Sequence, residues 1–299
     1  MLWTCGLPFF ASVDIESSEA GGLALLSSAL ALPITPSNGH HIRLSDIRNN
    51  AIVSDDVHAC PTRLICLENT LGGTILPLED CSEIAQWARE QDPQIPMHLD
   101  GARLWDAVTA GAGTLKEYCS CFDSVSLCFS KGLGAPIGSI IVGKRIFIEK
   151  ARHFRKAIGG GLRQAGVIAA AARVSVEETF LAGKLSRSQE LAQTVAKMWE
   201  IRGGKLLKPR ETGMVWLDLA ERNVTKEAWI KAALEAGVTV MGPRLVCHYQ
   251  IGHEAIARLV KAMNIVMGCN ASHAINGNPT YDSKAVEQET KELTEQVAS

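Results

Sequence analysis

An apolar stretch from Phe122 to Phe129 runs directly into the turn Ser130-Lys131-Gly132-Leu133-Gly134-Ala135-Pro136-Ile137-Gly138. No other feature constrains the fold as much. A strand that ends in a glycine-rich turn presents that turn at its C-terminal end, where open α/β sheets bind ligands. Upstream, Met97-His98-Leu99-Asp100-Gly101-Ala102-Arg103-Leu104-Trp105 puts a carboxylate at the end of a second apolar strand. Leu64 to Leu67 and Pro96 to Leu99 are short apolar runs, and between them Glu79 to Glu90 carries Ile84, Trp87 and Ala88 at helical spacing. This predicts a strand, helix, strand unit with a right-handed parallel crossover. Ser139 to Val142 predicts a further strand and Lys144 to Ile158 a basic helix, ended by Gly159-Gly160-Gly161. The first half therefore reads as a parallel-rich sheet with helices on its faces.

Beyond Gly166 long helices take over, at Val167 to Ala182, Ser186 to Ile201, Thr225 to Ala236 and Glu254 to Met267. Strands are predicted at Met214 to Leu219, Val238 to Met241 and Leu245 to His248. This pattern suits a smaller α+β domain, followed from Cys269 by a polar tail in which only Val286, Leu293 and Val297 recur. At 299 residues and 46% hydrophobic the chain can bury two cores. Its net charge of -2 gives no electrostatic reason to expect nucleic acid or an anionic membrane. The nine cysteines form an odd set without a Cys-x-x-Cys, which fits small core residues in a reducing compartment better than a disulfide framework. No His/Cys/Asp grouping has the spacing of a zinc site, and no metal is expected. The start lacks a basic signal-peptide region and no apolar run reaches membrane-spanning length, so a cytoplasmic protein is expected.

The chemistry follows from the two strand ends. Partial burial would bring the Lys131 ammonium toward the free amine that attacks an aldehyde, as a Schiff-base lysine must. A carboxylate on a second strand end could hold a pyridine nitrogen protonated. Together they suggest a pocket for pyridoxal 5'-phosphate, with Lys131 carrying the cofactor and Asp100 its ring nitrogen. Asp100 alone also reads as a helix N-cap for Ala102 to Ala110. The Gly159-Gly160-Gly161 amides could form an anion nest beside Arg163, although Arg163 and Lys156 serve equally well as solvated helix charges. His98 shares a strand face with Asp100, where a histidine satisfied by backbone is the commoner role.

Leu67-Glu68-Asn69-Thr70, His98 to Arg103, Ser130 to Pro136 and Gly159 to Gln164 resemble, in order and spacing, the fungal form of the low-specificity L-threonine aldolases, members of the β-eliminating lyase superfamily. The resemblance runs from about Glu19 to Gly268. It implies the aspartate-aminotransferase-like fold (type I) of pyridoxal-phosphate-dependent enzymes: a large domain over 19–165, a small C-terminal domain over 166–268, a polar tail at 269–299 and an unmatched segment at 1–18. It implies that Lys131 holds the cofactor, that Arg103 and Arg244 bind the substrate carboxylate, and that Arg163 lies near the cofactor phosphate or a subunit contact. The guanidinium fork of Arg244 suits bidentate capture of an amino acid carboxylate. The implied activity is retro-aldol cleavage of L-threonine or L-allo-threonine to glycine and acetaldehyde by a homotetrameric enzyme. An alanine racemase or another β-hydroxy amino acid lyase is the alternative, as is an impaired paralogue working only inside an oligomer.

Three departures stand out. The family's Ser-Gly-Thr phosphate loop ahead of Glu19 has no counterpart here, which predicts a lost strand and exposed apolar surface. The family's ring-stacking histidine falls at Asp14. Leu71 follows Glu-Asn-Thr where many relatives have histidine, so His98, an ordered water and Lys131 itself all remain as the base for the substrate hydroxyl.

Overall fold

The structure is a computed structural model that describes residues 8–11 and 22–268, with positions 288, 291, 292 and 295 beyond them. Asp14 and most of the segment 269–299 lie outside the described residues. The chain forms two compact units, Met1–Ala182 and Gly183–Ser299.

The first unit is built on six strands: β1 (Pro8–Ala11), β2 (Leu30–Pro33), β3 (Leu64–Glu68), β4 (Met97–Gly101), β5 (Ser124–Cys128) and β6 (Ser139–Gly143). Their order is β2-β1-β3-β4-β5-β6. The first five are mutually parallel and β6 is antiparallel to β5. The parallel-rich sheet is thus as expected. Pro8–Ala11, inside the segment that the resemblance leaves unmatched, pairs with both β2 and β3 within the sheet.

Helices α1 (Gly22–Ser27), α2 (Leu44–Asn50), α3 (Leu78–Arg89), α4 (Leu104–Thr109) and α5 (Leu115–Ser120) connect the parallel strands. In α3, Cys81, Ile84, Ala85 and Ala88 recur at three- and four-residue intervals, and all four are buried. Thr114 starts α5 with a capping box, its hydroxyl accepting from the Glu117 amide while the Glu117 carboxylate accepts from the Thr114 amide. The strands follow the same logic: Ile65, Cys66 and Leu67 are buried, as are Met97 and Leu99, which two-sided cover of a parallel sheet requires.

Helix α6 (Arg145–Ala157) follows β6 and contains no buried residue. Helix α7 (Gly166–Ser175) runs into a π-helical turn, Val176–Phe180. The division at 182/183 therefore falls later than the 165/166 boundary that the change to long helices suggests. The segment belongs to the first unit physically, because Phe180 packs edge-on against Trp105 with ring centroids 4.9 Å apart.

The second unit holds α8 (Lys184–Glu200), β7 (Lys205–Leu206), β8 (Met214–Asp218), α9 (Lys226–Glu235), β9 (Arg244–Val246) and α10 (His253–Met267). The three strands form an antiparallel sheet in the order β7-β8-β9. Its core joins Trp199, Val215, Leu217, Trp229, Leu245 and Met263. The predicted strand at Val238 to Met241 is absent; this segment is irregular, because the Val238 amide donates to the Ala233 carbonyl and ends α9 there.

Candidate active site

Strand β5 ends at Cys128, and the chain turns back into β6 as a hairpin. The Phe129 amide donates to the Gly138 carbonyl and the Ala135 amide to the Phe129 carbonyl, both at 3.0 Å. Between them the Gly134 amide donates to the carbonyl of Lys131, also at 3.0 Å. Gly134 takes this turn at φ +75°, a conformation that favours glycine. The backbone of Lys131 is thereby pinned at the C-terminal rim of the parallel strands. Its side chain is exposed, which corrects the expectation of partial burial: it stands at the edge of the sheet beside β6, whose own residues are largely uncovered.

Asp100 ends β4, the strand paired with β5 through Asp100 and Ser126. Its Oδ1 accepts from the Ala102 amide at 2.9 Å. This bond closes a tight turn within the loop, and the N-cap of α4 is Arg103, not Asp100. The carboxylate is thus fixed in orientation at the rim. Gly101 lets the strands approach: a Cβ there would stand 2.7 Å from the Ser126 carbonyl oxygen and 2.9 Å from the Leu127 side chain.

His98 lies one strand period below Asp100, with its Nδ1 2.8 Å from the Ser124 hydroxyl. Burial holds its pKa below the ordinary histidine value, against the opposing influence of the Asp100 carboxylate and of Ser124. It is a satisfied, neutral histidine on the Asp100 face. Beside it on β3, burial and the Asp100 charge push the Cys66 thiol up, so this cysteine is a small core residue.

Arg103 leads into α4 and acts electrostatically on Asp106, one turn on. Asp106 is buried, and burial raises its pKa while the Arg103 charge lowers it. The resemblance implies a substrate carboxylate for Arg103; in the structure its charge acts on the buried Asp106 carboxylate. Trp105 ties the same loop to the lysine strand, its indole N–H donating to the Cys128 carbonyl at 2.9 Å. Neither Asp106 nor Trp105 stands out in the sequence, where both look like ordinary helix residues.

At the end of β3, Asn69 is fully buried and binds Leu76 twice, donating to its carbonyl at 3.1 Å and accepting from its amide at 3.2 Å. The adjacent Thr70 hydroxyl is buried with no hydrogen-bond partner among the described residues. A small, mostly apolar recess opens here, lined by Glu68, Leu71, Thr74, His40 and His41. His41 Nε2 lies 3.1 Å from the Asp80 carboxylate, and the Nδ1 atoms of His40 and His41 are 2.8 Å apart.

The expected anion nest is not available. The Gly159 amide donates to the Lys156 carbonyl at 3.2 Å and the Gly160 amide to the Arg155 carbonyl at 2.8 Å, so both close the C-terminus of α6. Arg163 and Lys156 are exposed. Arg244 lies on β9 of the second unit, exposed, with its guanidinium 5.8 Å from the centre of the Trp216 ring. All seven cysteines among the described residues are free. No helix among the described residues is long and apolar enough to cross a membrane.

A twisted, parallel-rich sheet with an amine and a fixed carboxylate on neighbouring strand ends defines a class of α/β protein that binds its ligand at the C-terminal rim. Residues 11–222 match the family model described as beta-eliminating lyase, and the chain belongs to that family. It is 56% identical over 249 residues to the aldolase vrtJ of Penicillium aethiopicum, covering 83% of this chain and 64% of that protein. It is 44% identical over 269 residues to the alanine racemase TOXG of Cochliobolus carbonum, covering 88% and 69%. The low-specificity L-threonine aldolase of Candida albicans is 44% identical over 248 residues, covering 82% and 65%. The chain thus spans less than two thirds of the first and third of these. In fold it is similar to the threonine aldolase of Leishmania major, with a TM-score of 0.70 at 17% identity over 87% of this chain and 77% of that one. Pyridoxal phosphate is the cofactor that membership of this family implies. The donor set at the rim fits that cofactor: an amine on a pinned turn, a fixed carboxylate and a buried, unpartnered hydroxyl.

Proposed function

We propose that the protein cleaves the Cα–Cβ bond of L-threonine or L-allo-threonine, giving glycine and acetaldehyde. The observation that carries this reading is the pairing of Lys131, on a turn held by three backbone hydrogen bonds, with Asp100 at the end of the adjacent strand. Similarity to the aldolases of Penicillium and Candida supports the choice of reaction. Pyridoxal phosphate, when bound, supplies an electron sink for the pair released from Cα. Lys131 is the residue that carries it. Asp100 would keep that cofactor's ring nitrogen protonated, its own orientation set by the Ala102 amide. Arg103 orients the amino acid through its carboxylate, and such anchoring selects which bond at Cα breaks; Arg244, on the second unit, is a further candidate for binding that carboxylate. His98, hydrogen-bonded to Ser124 and neutral, backs Asp100 rather than taking the hydroxyl proton. Arg163 serves as a peripheral cation near the phosphate or a subunit contact, and a cytoplasmic homo-oligomer fits the reading.

A second reading, alanine racemisation, is favoured by the similarity to TOXG. One experiment separates them. The purified chain is loaded with pyridoxal phosphate, reduced with borohydride and digested, and the pyridoxyl group is expected on Lys131. Unreduced protein is then given L-threonine, L-allo-threonine or L-alanine. Acetaldehyde release that is lost in Lys131→Ala supports the aldolase. D-alanine without acetaldehyde establishes the racemase instead, and label on another lysine overturns the site.

A further inference from the structure

Asp106 is a carboxylate in a place where carboxylates are rarely found. It lies in the first turn of α4 and is only 5% exposed. A helix N-terminus favours a negative charge, but that attraction does not require the charge to be buried. A buried carboxylate costs stability unless a cation answers it. Burial disfavours the charge of Asp106, and the Arg103 guanidinium opposes that effect. Backbone geometry brings the two together. Arg103 is the N-cap and Asp106 stands three residues on, its amide donating to the Arg103 carbonyl at 2.9 Å, and residues three apart on a helix are neighbours.

The loop that carries Arg103 is clamped on both sides of it. The Ala102 amide donates to Asp100 Oδ1 and the Trp105 indole to the Cys128 carbonyl, each at 2.9 Å. These bonds fix the backbone of Arg103 beside Asp100 and β5, but they do not fix its long, half-buried side chain. We propose that Asp106 is a positioning residue: with Arg103 as the anchor of the substrate carboxylate under the function proposed above, Asp106 holds the guanidinium ready for it. A guanidinium has five N–H donors, so one carboxylate can hold it while a second binds. Holding it in advance spares the substrate the ordering of a flexible side chain. Asp106 itself touches neither substrate nor cofactor in this arrangement.

Two amines test it. Protein loaded with pyridoxal phosphate is titrated with glycine and with glycinamide, which has a neutral amide in place of the carboxylate, and the cofactor's absorbance is followed. Asp106→Asn should weaken glycine about tenfold, the scale of one charge-assisted hydrogen bond, and leave glycinamide unchanged. A merely loosened fold would weaken both alike. Asp106→Ser, also uncharged, should give the same shift if the carboxamide is not tolerated. Arg103→Gln should erase the preference for glycine, and adding Asp106→Asn to it should change the preference no further. A second measurement uses the chain without cofactor. Arg103→Gln leaves the Asp106 charge unanswered and should lower the urea midpoint, and the further change Asp106→Asn should restore part of it. If Arg103→Gln loses the preference while both Asp106 variants keep it, the positioning role is overturned and the anchor stands. If Arg103→Gln keeps the preference, the anchor falls and the role of Asp106 falls with it. Absence of recovery in urea overturns the pairing.

Discussion

At the scale of single residues, the rim of the sheet works through positions fixed by backbone. Asp100 is held by the Ala102 amide and Lys131 by the turn around it, so neither relies on a side-chain partner for its place. His98 has a measurable signature. Its folded pKa lies below 6.5 because burial disfavours the cation, so below pH 6.5 the unfolded chain takes up a proton that the folded chain refuses. Stability should fall as pH drops from 6.5 toward the folded value and then level off. Chemical denaturation between pH 7.5 and 5 should show less of this slope in His98→Gln than in the parent; equal slopes would place the proton elsewhere. Lys131, Asp100 and the shared face of His98 are legible in the sequence, since strand ends and two-residue periodicity are local properties. Asp106 and Trp105 are not. Burial of the one and the bond from the other to Cys128 depend on which strand lies beside the helix, and no local pattern encodes that.

The elements tell the same story at longer range. Strands and helices with strong periodicity, β3, α3, β4 and β5, are found where the sequence puts them to within a few residues. The failures are at ends and edges. Val238 to Met241 has a strand's composition but follows a helix terminus that consumes its first amide. Gly159 and Gly160 have a nest's composition but are spent on the carbonyls of α6. Gly101 shows why strand spacing matters to the site. A methyl there meets the Ser126 carbonyl oxygen at 2.7 Å, and backbone cannot swing aside as a side chain can. Gly101→Ala should therefore cost about 1–3 kcal/mol. It should also weaken cofactor retention, because β4 and β5 carry Asp100 and Lys131. Urea denaturation and pyridoxal phosphate titration check the two effects separately, and an unchanged midpoint would show that the strands can part without loss.

For the molecule as a whole, two cores form in two stretches of chain. The second unit's core is assembled from residues 191–267 alone, and its two tryptophans, Trp199 and Trp229, meet edge to face with centroids 6.1 Å apart. A fragment of residues 183–299 should unfold cooperatively and show a near-ultraviolet dichroism signal from this pair. A featureless spectrum with gradual melting would mean that it needs the first unit to fold. The reversal of β6 has one more consequence. Because the last strand runs against its neighbours, Lys131 belongs to the tip of a hairpin rather than to a crossover into a helix. Its shoulder is clamped by the ladder on both sides while its four methylenes are free to swing. The outline is that of a crane: a fixed mast, and a jib that sweeps an arc over the rim without the mast moving.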